Sequence, residues 1–184
     1  MPFTLLKGIF KPATGIPDGD TVRFQPDDPS PLFTLPRRGR SPRMNQNNST
    51  ISLRYEGIDA LEKDAKEPFA SDATNKNLGF LGLSGPTDEA PDYILTNQIG
   101  PNGRPISFVF VGKADEDDGD SVFLNVDRLK ESVNFHLIEA SVVYPLFYDT
   151  LFSDLRLALT SAVSAARSLG LRIWSNYKTH TGVT

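Results

Sequence analysis

Three short stretches of this chain hold charged side chains of the kinds that act on phosphate. Asp18-Gly19-Asp20-Thr21 offers the Asp20 carboxylate where an extended run begins. Arg54-Tyr55-Glu56-Gly57-Ile58-Asp59-Ala60-Leu61-Glu62 sets a guanidinium at a strand end, with carboxylates at Asp59 and Glu62 beyond it. Gly103-Arg104-Pro105 puts a second arginine in a tight turn. Carboxylate oxygens are hard ligands that suit calcium at roughly 2.3–2.6 Å, with water positions left open. Asp59 can share a cation with Asp20 if their strands are neighbours, and Glu62, in loop geometry, can reach past the metal to a water. Arginine presents its donors in a planar fork that matches phosphate better than a lysine does. Two carboxylates on a cation, a third as base and two arginines from separate segments supply what phosphodiester hydrolysis requires. Those needs are charge neutralisation, an activated water and donors for the equatorial oxygens of phosphorus.

Each stretch taken singly also has a plainer account, and singly the plainer account weighs more. Asp-Gly is an ordinary turn sequence. Arg54, Asp59 and Glu62 read equally as a surface ion-pair network, and a lone arginine in a turn is usually only solvated. It is their combination that favours a site. Arg37, Arg38, Arg40 and Arg43 form a basic cluster that either tracks a phosphate backbone or solubilises a loop. Tyr144, followed by Pro145, offers a stacking surface or serves as a core or rim tyrosine, the latter being the stronger reading. The acidic run Asp115-Glu116-Asp117-Asp118-Gly119-Asp120 lacks the ligand spacing and closing glutamate of an EF-hand and reads as a solvated hairpin tip. His136 and His180 have no catalytic partner pattern and read as structural or exposed.

The elements that must position these groups are short strands followed by helices. Thr4 to Phe10 and Asp20 to Phe24 are β-type runs parted by Pro12, Gly15 and Pro17. Ile51 to Ile58 alternates, with Ile51, Leu53 and Tyr55 on one face and Ser52, Arg54 and Glu56 on the other. Tyr93 to Ile99 and Ile106 to Val111 follow, joined by a hairpin turn at Pro101-Asn102-Gly103-Arg104. Five strands in this order suit a small closed barrel. Asp27 to Thr50, rich in proline and ending in asparagines, reads as a long mobile loop. Helices are predicted from Pro68 to about Leu81, after an Asn125 cap, and from Ser153 to Gly170. The last carries a core-facing stripe of Leu155, Leu159, Ala162, Ala166 and Leu169, with Gly170 at its C-terminal cap.

In this order, Asp18-Gly19-Asp20-Thr21, Arg54 with Asp59 and Glu62, and Gly103-Arg104 resemble the motifs of the staphylococcal nuclease-like (thermonuclease) family. Leu124-Asn125-Val126 through Leu129 is similar to the opening of that family's middle helix, and Leu171-Arg172-Ile173-Trp174-Ser175 to its closing segment. The resemblance spans most of Leu6 to Ser175, with Asp27–Thr50 as an insertion. It implies an α+β domain made of a five-stranded OB-fold barrel and three helices. It implies calcium held by Asp20, Asp59 and the Ala60 carbonyl, Glu62 activating the attacking water, and Arg54 and Arg104 on the scissile phosphate. Tyr144 and the arginines of the insertion would contact substrate, a single-stranded DNA or RNA cut at the 5′ P–O bond to leave 3′-phosphates. The chain departs from the family at Ala60, usually threonine, at Leu61, usually proline, and at Pro101-Asn102, where well-studied members have a Lys-Tyr pair that holds the terminal phosphate and the base.

Composition bounds these readings. With 184 residues, 39% hydrophobic and 23% charged, the chain suits one globular domain. It has no cysteine, which excludes disulfides, thiolate metal sites and a thiol nucleophile. A formal charge of -4 counts against a tight non-catalytic binder of duplex DNA, and less against an enzyme that needs only a local positive funnel. No apolar stretch is long enough to span a membrane and the first residues lack a signal-peptide pattern. The expectation is a soluble cytoplasmic monomer, or a secreted one had a leader preceded it. The alternative function is a non-catalytic OB-fold module that binds nucleic acid or protein.

Overall fold

The computed structural model of the protein describes residues 2–62, 67–85 and 87–176. Strand β1 (Phe3–Phe10) is the centre of the sheet, with Phe3, Leu5, Leu6 and Phe10 buried and both of its edges paired. It pairs antiparallel with β2 (Arg23–Pro26) on one side and with β6 (Ala90–Ile99) on the other. β6 turns through the Pro101–Arg104 hairpin into antiparallel β7 (Pro105–Val111). The stretch from Ile51 supplies three short strands, β3 (Ile51–Ser52), β4 (Arg54–Tyr55) and β5 (Gly57–Asp59). β3 pairs antiparallel with β2, whereas β4 pairs parallel with β7.

That change of partner closes the barrel. The sheet order is β3-β2-β1-β6-β7-β4, and its two ends, β3 and β4, are successive halves of one strand. This is the connectivity of a five-stranded OB-fold. Ile51, Leu53 and Tyr55 point into the core and Arg54 points outward, as the period of two requires. Glu56 does not follow that alternation. Gly57, with φ +80°, turns the chain, and Glu56 is only 2% exposed instead of lying on the outer face with Arg54. β5 then leaves the barrel to pair with β9 (Tyr144–Leu146).

Among the described residues the α-helices number five, where three are expected. The predicted Pro68–Leu81 helix is α2 (Phe69–Phe80). The predicted Asn125 cap accepts from the Arg128 N–H and starts α3 (Val126–Lys130), but Ser132 caps a separate helix, α4 (Val133–Glu139). Asn134 of α4 accepts from the Val109 N–H and donates to the carbonyls of Glu56 and Ser107, which pins the helix across the barrel seam. α5 (Ser153–Leu169) ends at Gly170 in the left-handed region, as its position predicts. Leu155, Leu159 and Ala166 are buried along its stripe, but Leu169 is exposed and Val163 takes a core place.

The remaining helix, α1 (Ser30–Thr34), lies in the insertion. Asp27–Thr50 is therefore not the unstructured, weakly packed loop that its prolines suggest. Leu32 and Leu35 are buried in the barrel's apolar cluster, and the backbone bridges Arg37 to Ile99 and Asn45 to Thr50. The acidic run is likewise docked, with Glu116 accepting from both Arg128 Nη atoms. β8 (Ser121–Val122) pairs with β1, and Asp118 accepts from the Lys7 N–H at 2.7 Å. No helix among the described residues is long and apolar enough to cross a membrane.

Candidate functional site

Asp20 lies before β2, not within it, although the ladder with the next strand reaches back that far. Leu53 donates to the Val22 carbonyl and Tyr55 to the Asp20 carbonyl, both at 3.0 Å. Gly19 is required by close approach: a Cβ there would lie 2.6 Å from the Cβ atoms of Ala60 and Ala73. The Asp18–Asp20 turn is thus wedged between the chain after β5 and α2, and the small Ala60 side chain leaves room for it. Asn77 of α2 anchors the turn by donating to the Asp18 carbonyl at 2.7 Å while accepting from the buried Tyr55 hydroxyl.

The wedge aims the Asp20 carboxylate at the outer face of β4. Arg54 Nη1 donates to both Asp20 oxygens at 2.7 Å, and Arg54 Nη2 donates to Asp59. The Ala60 N–H donates to Asp20 at 2.7 Å and the Thr21 hydroxyl at 3.1 Å. Asp20, Arg54, Asp59 and Ala60, drawn from segments up to 40 residues apart, therefore form one cluster. Burial pushes the Asp20 carboxyl up to about 6, against the pull of Arg54 and the Ala60 amide. Burial pulls Arg54 the other way, but Asp20 and then Asp59 outweigh it and hold the guanidinium more firmly protonated than usual. The cluster has two carboxylates for one cation, and Asp59 keeps 50% of its side chain exposed.

Arg104 joins this cluster through a hydroxyl. Its Nη1 donates to Thr21 Oγ1 at 3.4 Å, and Thr21 in turn donates to Asp20. Thr21 is the residue that sequence reasoning left without a role, although it stands inside the Asp18–Thr21 motif. Tyr144 is brought beside Asp59, its register partner across β5 and β9, and its ring packs edge-on against Trp174 at 5.3 Å. Glu62 is exposed on the chain after β5, and no hydrogen bond or ion pair joins it to another described residue. Arg37, Arg38, Arg40 and Arg43 are all exposed. His136 is half-buried against Phe80 and faces Glu139, and His180 lies outside the described residues.

Beyond Thr21, away from the acidic cluster, lies a cleft of about 540 Å³ lined by Arg23, Arg43, Asn45, Ser52, Asn102 and Arg104. Arg23 had no signal in the sequence beyond its place in a strand. Among the described residues, no three acidic or histidine side chains gather as a metal-binding group. The oxygens that do converge are the carboxylates of Asp20 and Asp59, with no sulfur or imidazole beside them among the described residues, which fits a hard cation and not a soft one. No protein-family model matches this chain, and no curated protein matches it.

Proposed function

We propose that the protein is a calcium-dependent nuclease that hydrolyses phosphodiester bonds of single-stranded DNA and RNA, leaving 3′-phosphates. The observation that carries this reading is the convergence of the Asp20 and Asp59 carboxylates on the Arg54 guanidinium, with the Ala60 N–H on Asp20 and Arg104 linked to Asp20 through Thr21. A binding module needs arginines facing a phosphate, but it does not need two carboxylates beside them, where they repel the ligand. Asp20, Asp59 and the Ala60 carbonyl would hold calcium, which fits a buried cluster carrying one more negative charge than positive. Bound there, calcium would supply charge neutralisation at the phosphate.

The chain's own groups do the rest in this scheme. Among the donors on Asp20, Arg54 alone is a long side chain; the others are a backbone amide and the neighbouring hydroxyl. It would turn from the carboxylates to the equatorial phosphate oxygens, with Arg104 donating from the hairpin. Glu62, exposed and bonded to no other described residue, would take the proton of the attacking water. Tyr144 would line the edge of the site beside Asp59.

The alternative is a non-catalytic OB-fold module that binds nucleic acid or protein, and one observation favours it: every Asp20 oxygen already accepts a hydrogen bond. Degradation of single-stranded DNA with calcium and with chelator, side by side, decides between them. Wild type should cut only with calcium, and a folded Glu62→Gln variant should be slower by about 10²–10⁴-fold. If wild type leaves the strand intact but binds it, the module reading stands in place of the enzyme.

A further inference from the structure

The cleft beyond Thr21 gathers three guanidiniums from three parts of the chain: Arg23 from β2, Arg43 from the insertion and Arg104 from the β6–β7 hairpin. No carboxylate of the described residues lines it. Like charges brought to one concavity repel, so the arrangement raises a positive potential that an anion would relieve. The forks are arginine and not lysine, which suits the oxygens of a phosphate. Asn45, Ser52 and Asn102 add neutral polar groups, and no aromatic ring of the described residues lines the cleft to stack a base. Such a lining reads the charged backbone of a strand and ignores its sequence.

The cleft is built into the fold. The Arg43 N–H donates to the Gly103 carbonyl at 3.1 Å and the Arg40 N–H to the Pro101 carbonyl at 3.2 Å. Contact between insertion and hairpin is so close that a Cβ on Gly103 would lie 2.4 Å from the Ser41 carbonyl oxygen. Arg23 is held at its stem, since a Cβ on Gly15 would lie 2.7 Å from its Cγ. Arg104 belongs to both sides: it lines the cleft and donates to Thr21, which donates to Asp20.

We propose that the Arg23–Arg43–Arg104 cleft is a phosphate subsite that seats a second phosphate of the same single strand, which runs from the acidic cluster past Thr21. This rests on the phosphodiesterase reading of the neighbouring cluster. It gives the insertion a positioning task, through Arg43, that diffuse attraction alone does not.

The test is binding of a fluorescein-labelled oligothymidylate in EDTA, where no cleavage is expected, followed across a salt series. Arg23→Gln/Arg43→Gln keeps the aliphatic stems, and Lys130→Gln on exposed α3 serves as the charge control. The double variant should bind on the order of tenfold more weakly. Its slope of log K against log salt should be shallower by about 0.7, the value for one phosphate lost from a single strand. The control should match wild type. A folded double variant with unchanged affinity and slope overturns the subsite, as does an oligoglutamate that competes as well as the oligonucleotide. Cleavage assays keep the two claims apart. If wild type never cuts in calcium but the variant still loses affinity, the subsite stands and the nuclease reading falls. If cutting is calcium-dependent and binding is unmoved, the nuclease stands and the subsite falls.

Discussion

The two sides of Thr21 hold the same kind of side chain in opposite circumstances. On one side, Arg54 lies between two carboxylates, one of them only 2% exposed. On the other, Arg104 shares a cleft with Arg23 and Arg43, and among the described residues its guanidinium bonds only a neutral hydroxyl, at 3.4 Å. Removing a partner from a buried ion pair leaves a desolvated charge behind, whereas removing a cation from among cations relieves repulsion. Arg54 is thus bound up with folding in a way that Arg104 is not, even though both would face the same phosphate.

The largest expected effects test that asymmetry directly. Under the nuclease reading, Arg54→Ala and Arg104→Ala each lower calcium-dependent hydrolysis by about 10²–10³-fold, the usual cost of a lost transition-state donor. Their stabilities should part. In urea unfolding, Arg54→Ala should lose about 3 kcal/mol because Asp20 stays buried and unpaired. Arg104→Ala should change by less than about 0.5 kcal/mol. Because the groups act on one centre, Arg54→Ala/Glu62→Ala should lose less activity than the product of the single losses. Equal stability losses for the two arginine variants would break the comparison.

A smaller effect sharpens the point about burial. Glu56 is 2% exposed, and burial pushes its carboxyl up to about 7, against the Gly57 and Tyr148 amides and Arg156. The folded protein therefore holds this proton between the ordinary value of 4.5 and about 7, while the unfolded chain has released it. Stability from this group is present at low pH and is lost as pH rises through that window. Asp20 and Asp92, both raised to about 6 by burial, act with the same sign. Glu56→Gln keeps an acceptor for the Gly57 N–H, which lies 3.1 Å from the carboxylate. It should gain up to about 3 kcal/mol over wild type at pH 8 and almost nothing at pH 4.5, measured by urea unfolding at the two values. A gain equal at both would show that Glu56 is ionised throughout.

Glu56 also marks where the sequence stopped being legible. The five barrel strands, the Pro101–Arg104 turn and the Gly170 cap could be read because period-two burial and turn chemistry are local. The strand from Ile51 could not be read to its end: its alternation persists through Glu56, but Gly57 turns the chain and the partner changes from β2 to β7 and then β9. Partner exchange depends on residues far along the chain. The same holds for the insertion, whose prolines suggested weak packing while Leu32 and Leu35 found the core. Of the cluster, Asp20, Arg54 and Asp59 stood out by residue type and position and Ala60 only through the family resemblance, and the four lie together. Thr21 as a relay and Arg23 as a lining residue did not stand out, because a threonine next to an aspartate and an arginine in a strand carry no signal until the hairpin is folded against them.

The smallest expected effect concerns the part of the insertion that the cleft leaves out. Arg37, Arg38 and Arg40 are exposed, and no ion pair or side-chain hydrogen bond joins them to another described residue. Under the nuclease reading, their contribution is long-range attraction that salt screens over roughly 10 Å at 0.1 M. Replacing all three by glutamine should raise KM by a few-fold at low salt, flatten its salt dependence and leave kcat nearly unchanged. Arg43 differs from these neighbours only in being docked beside Arg104, so the comparison is within one segment. Per residue, Arg43→Gln should raise KM more than the triple variant does and should keep more of its effect at high salt, since a seated phosphate is screened less than a passing one. A fall in kcat with unaltered KM in the triple variant would show that these three arginines reach the reacting phosphate themselves, and the division between steering and seating would be lost.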